Sequence, residues 1–159
     1  MYQSLRKSVF AVLAIALGAI FVAPALVSPA QAKDGSFRHV VFHVDDNNKA
    51  KMNLALNNAA NVSKYYADKG EKVKIEIVAY GPGLNMLRAD TSPVTARLET
   101  FALEYENVAF AACENTLQKM AKKEGKTPPI LAFDNIRMVP SGVVQLVERQ
   151  VEGWQYIRP

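Results

Sequence analysis

The sequence predicts an α/β fold built on a five-stranded parallel sheet with helices on both faces. Three observations carry that expectation. Short β-branched and aromatic runs alternate with helical patterns along the chain, and the connections between them are short. The apolar runs lack strict alternation, as in strands buried on both sides. At 159 residues with 50% hydrophobic and 9% aromatic residues, the chain is long and apolar enough for one ordinary core. It shows no internal repeat, no low-complexity tract and no second domain.

The first strand is Arg38 to Val44 (RHVVFHV), and Asp45-Asp46-Asn47-Asn48 after it supplies helix-capping oxygens. Met52, Ala55, Ala59, Val62 and Tyr66 then recur at steps of three and four, one face of an amphipathic helix that stops at Lys69-Gly70. Val73 to Tyr80 is the second strand, running into Gly81-Pro82-Gly83 and a short helix around Leu84 to Arg88. Thr91-Ser92-Pro93 opens a helix through about Tyr105, with proline at or near its first position. Asn107 to Ala112 is the third strand, with Cys113 at its end and a helix from Glu114 to Lys123 following. Lys119, Lys122 and Lys123 crowd the last turns of that helix, where positive charge suits the macrodipole. After the stiff Lys126-Thr127-Pro128-Pro129 linker, Ile136 to Val139 is a fourth strand. Pro140-Ser141-Gly142 caps a helix ending at Gly153, and Trp154 to Arg158 is the last strand.

The first 32 residues have the parts of a cleaved secretory signal. Arg6 and Lys7 form a basic region, Val9 to Val27 is almost wholly apolar, and Ala30-Gln31-Ala32 is a small-x-small cleavage site. The apolar run is nearly long enough to stand as an uncleaved membrane anchor. Pro24 and Pro29 favour cleavage, because they break the segment where a peptidase needs extended chain. Residues 1–32 are therefore expected to be removed, leaving 33–159 as a single periplasmic domain with no membrane attachment. Arg6 and Lys7 account for two of the four net positive charges, which argues against a nucleic-acid partner.

Export places the chain in an oxidising compartment, where its single cysteine, Cys113, has no partner in the same chain. Such a thiol is buried and inert, paired with another molecule, or reactive. Open α/β sheets bind ligands beyond the carboxyl ends of their strands. That rule gathers His43, Asp45 and Asp46 after strand one, Tyr80, Gly81, Gly83 and Asn85 after strand two, Cys113 with Glu114 and Asn115 after strand three, and Ser141 after strand four. Free N–H groups at a helix start favour a thiolate, and the adjacent Glu114 opposes it. His43 is a candidate base for Cys113, although a histidine ending a strand is more often a packed side chain. Asp45-Asp46-Asn47 is what a helix start needs, so no metal is predicted. Gly81-Pro82-Gly83 lacks the Lys and Ser or Thr of a phosphate loop and reads as a tight turn. No cofactor is predicted.

Taken together, VVFHV with its acidic turn, KMNLALNNAANVSKYYADKG, VKIEIVAYGPGLNML, FAACENTL and the ending MVPSGVVQLVERQVEGWQYIRP resemble the DsrE/DsrF-like family, from about Arg38 to Pro159. The resemblance implies a three-layer α/β/α fold and assembly into homotrimers or homohexamers. It also implies a sulfur-relay role in which a cysteine at a strand end carries sulfur as a persulfide between thiol-bearing partners, and Cys113 occupies the matching place. The helix-terminal N–H groups near Glu114 to Thr116 would stabilise the anionic sulfur, and the Gly81 to Gly83 loop would leave room for it. The relay members act in the cytoplasm, whereas this chain carries an export signal. The alternative is a non-catalytic binding or assembly module with an inert Cys113.

Overall fold

A computed structural model describes residues 37–159; the expected signal segment and its cleavage site lie outside the described residues. Five parallel strands, β1 (Arg38–Val44), β2 (Val73–Ala79), β3 (Val108–Cys113), β4 (Ile136–Val139) and β5 (Gln155–Ile157), form one sheet in the order β4-β3-β2-β1-β5. Four α-helices connect them: α1 (Lys49–Asp68), α2 (Thr95–Glu104), α3 (Glu114–Glu124) and α4 (Gly142–Val151). The α/β class, the five strands and their parallel pairing agree with the reading of the sequence. Among the described residues, no helix is long and apolar enough to cross a membrane.

The side-chain period of two divides the strands into two faces. Val40, Phe42 and Val44 of β1 lie level with Ile75, Ile77 and Ala79 of β2 and share the larger core with Phe110. Buried residues of α1 and α2, including Met52, Leu56, Leu98 and Phe101, complete that core, and Leu117 and Met120 of α3 pack against it. The second face is different: Val41, Val78, Ala111 and Val139 meet only Leu146 of α4, with Tyr80 and Trp154 at the margins. A helix thus lies on each face, but the second carries one and the first three.

Local chemistry sets the helix starts. Asn48 caps α1, its side-chain oxygen accepting from the N–H groups of Ala50 at 2.8 Å and Lys51 at 3.3 Å. Strand ends shift by a residue, and two expected helix starts move. Gly81–Leu87 is a single 3-10 segment rather than a short helix at Leu84 to Arg88. The helix expected from Thr91-Ser92-Pro93 begins only at Thr95. Ser92 Oγ donates to the Met86 carbonyl at 2.6 Å, and Arg88 pairs with both Asp90 and Glu124, so residues 88–94 are held in a turn before helix can form.

Candidate functional site

Cys113 is the last residue of β3 and the N-cap of α3, so the strand delivers it to the carboxyl edge of the sheet. Its side chain makes no capping hydrogen bond, and the residue is only 4% exposed. Register places it level with Val139 on the second face. The start of α3 is fixed from two sides. The Asn115 N–H donates to the Pro140 carbonyl at 3.2 Å, and Thr116 Oγ1 accepts from the Gly81 N–H at 2.9 Å. Glu114 and Asn115 are exposed beside the thiol, and Ser141, the N-cap of α4, makes no side-chain capping bond.

The glycine turn has a steric task. A Cβ on Gly83 would stand 2.1 Å from the Val44 carbonyl oxygen, so only glycine lets this turn pass under the end of β1. The space at Gly83 is therefore filled by backbone, whereas Gly81, with φ +52, reaches the hydroxyl of Thr116. Asn85 ties the turn down, donating to Asn47 Oδ1 at 2.7 Å and accepting from the Thr91 hydroxyl.

His43 belongs to the other end of the same edge. It is level with Val78 and Ala111, two strands away from β3 and two residues short of Cys113, roughly 12 Å by standard sheet spacings. The structure does not bring His43 to the thiol as a base. Its Nδ1 meets the Tyr156 hydroxyl instead, and its Nε2 lies 3.4 Å from Asp45 Oδ1. Tyr80 stands between the two ends, its ring centroid 5.9 Å from that of His43 and its Cβ against Gly142. Because β5 lies beside β1 while the earlier crossovers lead away from it, the β1/β5 junction is the topological switch point. His43, Asp45, Tyr156 and Arg158 gather there, and Lys51 and Pro159 line the same small hollow.

Burial lowers the His43 pKa from its usual 6.5, and the nearby carboxylate of Asp45 only partly opposes this. Burial also raises the Tyr80 hydroxyl, with Asp45 and Tyr156 adding to it. The unfolded chain therefore binds more protons than the folded one just below pH 6.5. The His43 contribution is complete above that value and declines as pH falls towards the lower folded pKa. Thermal unfolding from pH 7 to pH 5 should show this loss, with a shallower slope in His43→Gln.

Among the described residues no group of three or more His, Cys, Asp or Glu side chains is placed to hold a metal ion. Sequence reasoning did not single out Thr116 or Tyr156. Thr116 has a signal in its place one helical turn after Cys113. Tyr156 has none, since 113 residues separate it from His43.

Comparison with known proteins gives a consistent picture. The family model described as the DsrE/DsrF-like family matches residues 38–159. No curated protein matches the sequence. Among solved structures, a protein of unknown function, MTH1491 from Methanobacterium thermoautotrophicum, is similar at 36% identity with a TM-score of 0.63, covering 77% of this chain and 99% of that one. With the parallel sheet and the cysteine-ended β3 described above, the match along 38–159 establishes that the chain belongs to the DsrE/DsrF-like family.

Proposed function

We propose that the protein handles sulfane sulfur in the periplasm, with Cys113 as the carrier. The observation that carries this reading is the position of Cys113 as both the end of β3 and the N-cap of α3, where its sulfur makes no capping bond. The family is of sulfur-relay type, which supports the same chemistry. A Cys113 thiolate attacks the outer sulfur of a donor persulfide, forming one S–S bond as the donor S–S bond breaks and a donor thiolate leaves. An acceptor thiolate then attacks the carried sulfur and releases the Cys113 thiolate. The sulfur moves between thiols without net oxidation, so no further redox partner is required. Helix-terminal N–H groups of α3 other than that of Asn115 stabilise the negative charge on the carried sulfur.

Assembly belongs to this proposal. Val143, Val147 and Val151 form a stripe on α4 at four-residue spacing and are 54%, 51% and 78% exposed. Parallel sheets are ordinarily covered on both faces, and here α4 alone covers the second. A homotrimer or homohexamer that buries this stripe completes the cover.

One observation favours a second reading. At 4% exposure Cys113 is nearly shut off from solvent in the single chain, as a packed thiol in a binding module would be. Alkylation separates the two. A carrier is modified by iodoacetamide in native buffer with its far-UV circular dichroism unchanged. Modification that waits for denaturant contradicts the carrier and supports the binding module.

A further inference from the structure

The sheet is open at the end remote from Cys113. A cleft of about 960 Å³ runs across the amino ends of the strands, and its second-face part is lined by Phe37, His39, Lys74, Ala109, Arg137 and Trp154. This is the size range of small-ligand sites. Three rings form one wall: Phe37 and His39 have centroids 6.3 Å apart, and His39 and Trp154 4.9 Å. Arg149 packs on the Trp154 ring, its guanidinium carbon 4.4 Å from the centroid, and so holds the indole in place.

The floor has hydrogen-bond donors to spare. Glu76 is 2% exposed and takes hydrogen bonds from Arg137, Arg149 and Gln145, and Arg149 is also paired with Glu152. Arg137 uses Nε and Nη2 on Glu76, which leaves Nη1 without a protein acceptor among the described residues. Lys74, level with His39, is exposed and forms no ion pair among the described residues; its Nζ rests 4.9 Å from the Phe37 ring centroid. Ala109, between Glu76 and Arg137 in the strand order, leaves the floor low. The α1 and α2 side of the cleft bears Glu71, Glu104 and Glu106 against Lys64 and Lys72, an excess of one negative charge that favours the second face for an anion.

We propose that this cleft binds a small aromatic anion, a planar ring carrying a carboxylate or phosphate. The ring lies against His39 and Trp154, and the anion takes hydrogen bonds from Lys74 Nζ and Arg137 Nη1. The site does not rest on the sulfur-carrier reading, since it lies at the opposite end of the strands.

Trp154 is the only tryptophan, so its emission reports the cleft directly. Titration of the purified protein with phenyl phosphate should give a saturable change in that emission. Inorganic phosphate and benzyl alcohol, each carrying half of the recognition, should bind at least about tenfold more weakly. Lys74→Gln should weaken phenyl phosphate about tenfold with an unchanged melting temperature, as expected for one lost charge-assisted hydrogen bond. Cys113→Ser should bind as the parent does. No saturable change, equal binding of benzyl alcohol or of inorganic phosphate, or indifference to Lys74→Gln would overturn the proposal.

Discussion

Gly83→Ala is expected to cost about 3 kcal/mol of folding stability or more, in the range of severe overpacking. The new methyl carbon would meet the Val44 carbonyl oxygen at 2.1 Å, its carbon at 2.5 Å and the Asp45 nitrogen at 2.8 Å. All three are backbone atoms in or next to β1, which is pinned between β2 and β5, so no side-chain rotation relieves the clash. Gly70→Ala is the control. Gly70 has φ +67 but no heavy atom near a Cβ, so only backbone strain of about 1 kcal/mol is expected. Denaturant unfolding of both variants measures the contrast. Because Gly81 donates to Thr116 in α3, displacement of the turn should also raise the alkylation rate of Cys113 in Gly83→Ala protein that remains folded.

Replacing Glu76 with leucine is expected to cost about 2 kcal/mol, because Arg137, Arg149 and Gln145 lose the buried carboxylate they bond, while Arg137 is partly solvated and Arg149 keeps Glu152. The double variant Glu76→Leu with Arg137→Met should recover part of that loss, since Arg137 has no other carboxylate partner among the described residues, whereas Arg149 keeps Glu152. The pH dependence has a definite sign. Burial alone would raise the Glu76 pKa, but hydrogen bonds from Arg149, Gln145 and Arg137 outweigh it and hold the group below its ordinary 4.5. The contribution is therefore complete above pH 4.5 and is lost as pH falls through the depressed folded value. Urea unfolding from pH 6 to pH 3 should show that loss in the parent and a flatter profile in Glu76→Leu.

The same residue shows where sequence patterning stopped being informative. Ile77-Val78-Ala79 and Ala111-Ala112-Cys113 are apolar on both faces, and α4 crosses there, so those strands do have two cores. In the amino halves the pattern alternates instead: His39, Lys74 and Glu76 occupy the second face while Val40, Val73 and Ile75 occupy the first. The alternation marks polar positions that bond α4, as Glu76 does, or border the cleft, as Lys74 does. The position of α4 over the sheet is a tertiary choice that no local window contains.

At the candidate site, local chemistry carried further than pairing did. The place of Cys113 at a strand end before a helix follows from the VAFAAC run and its change to polar periodicity, and the structure has it there. Its burial depends on the Pro140 region and the Gly81 turn closing over the start of α3, contacts between segments far apart in sequence. His43 likewise lies near the end of β1, one residue before Val44, but its partner Tyr156 comes from a three-residue edge strand whose pairing with β1 only the topology reveals.

Whether Cys113 carries sulfur is decided by intact mass spectrometry of the purified protein after incubation with a persulfide donor. A carrier gains one sulfur atom that is lost on reduction and absent from Cys113→Ser. A parent protein whose mass stays unchanged, with a thiol that resists alkylation until the protein unfolds, would contradict it.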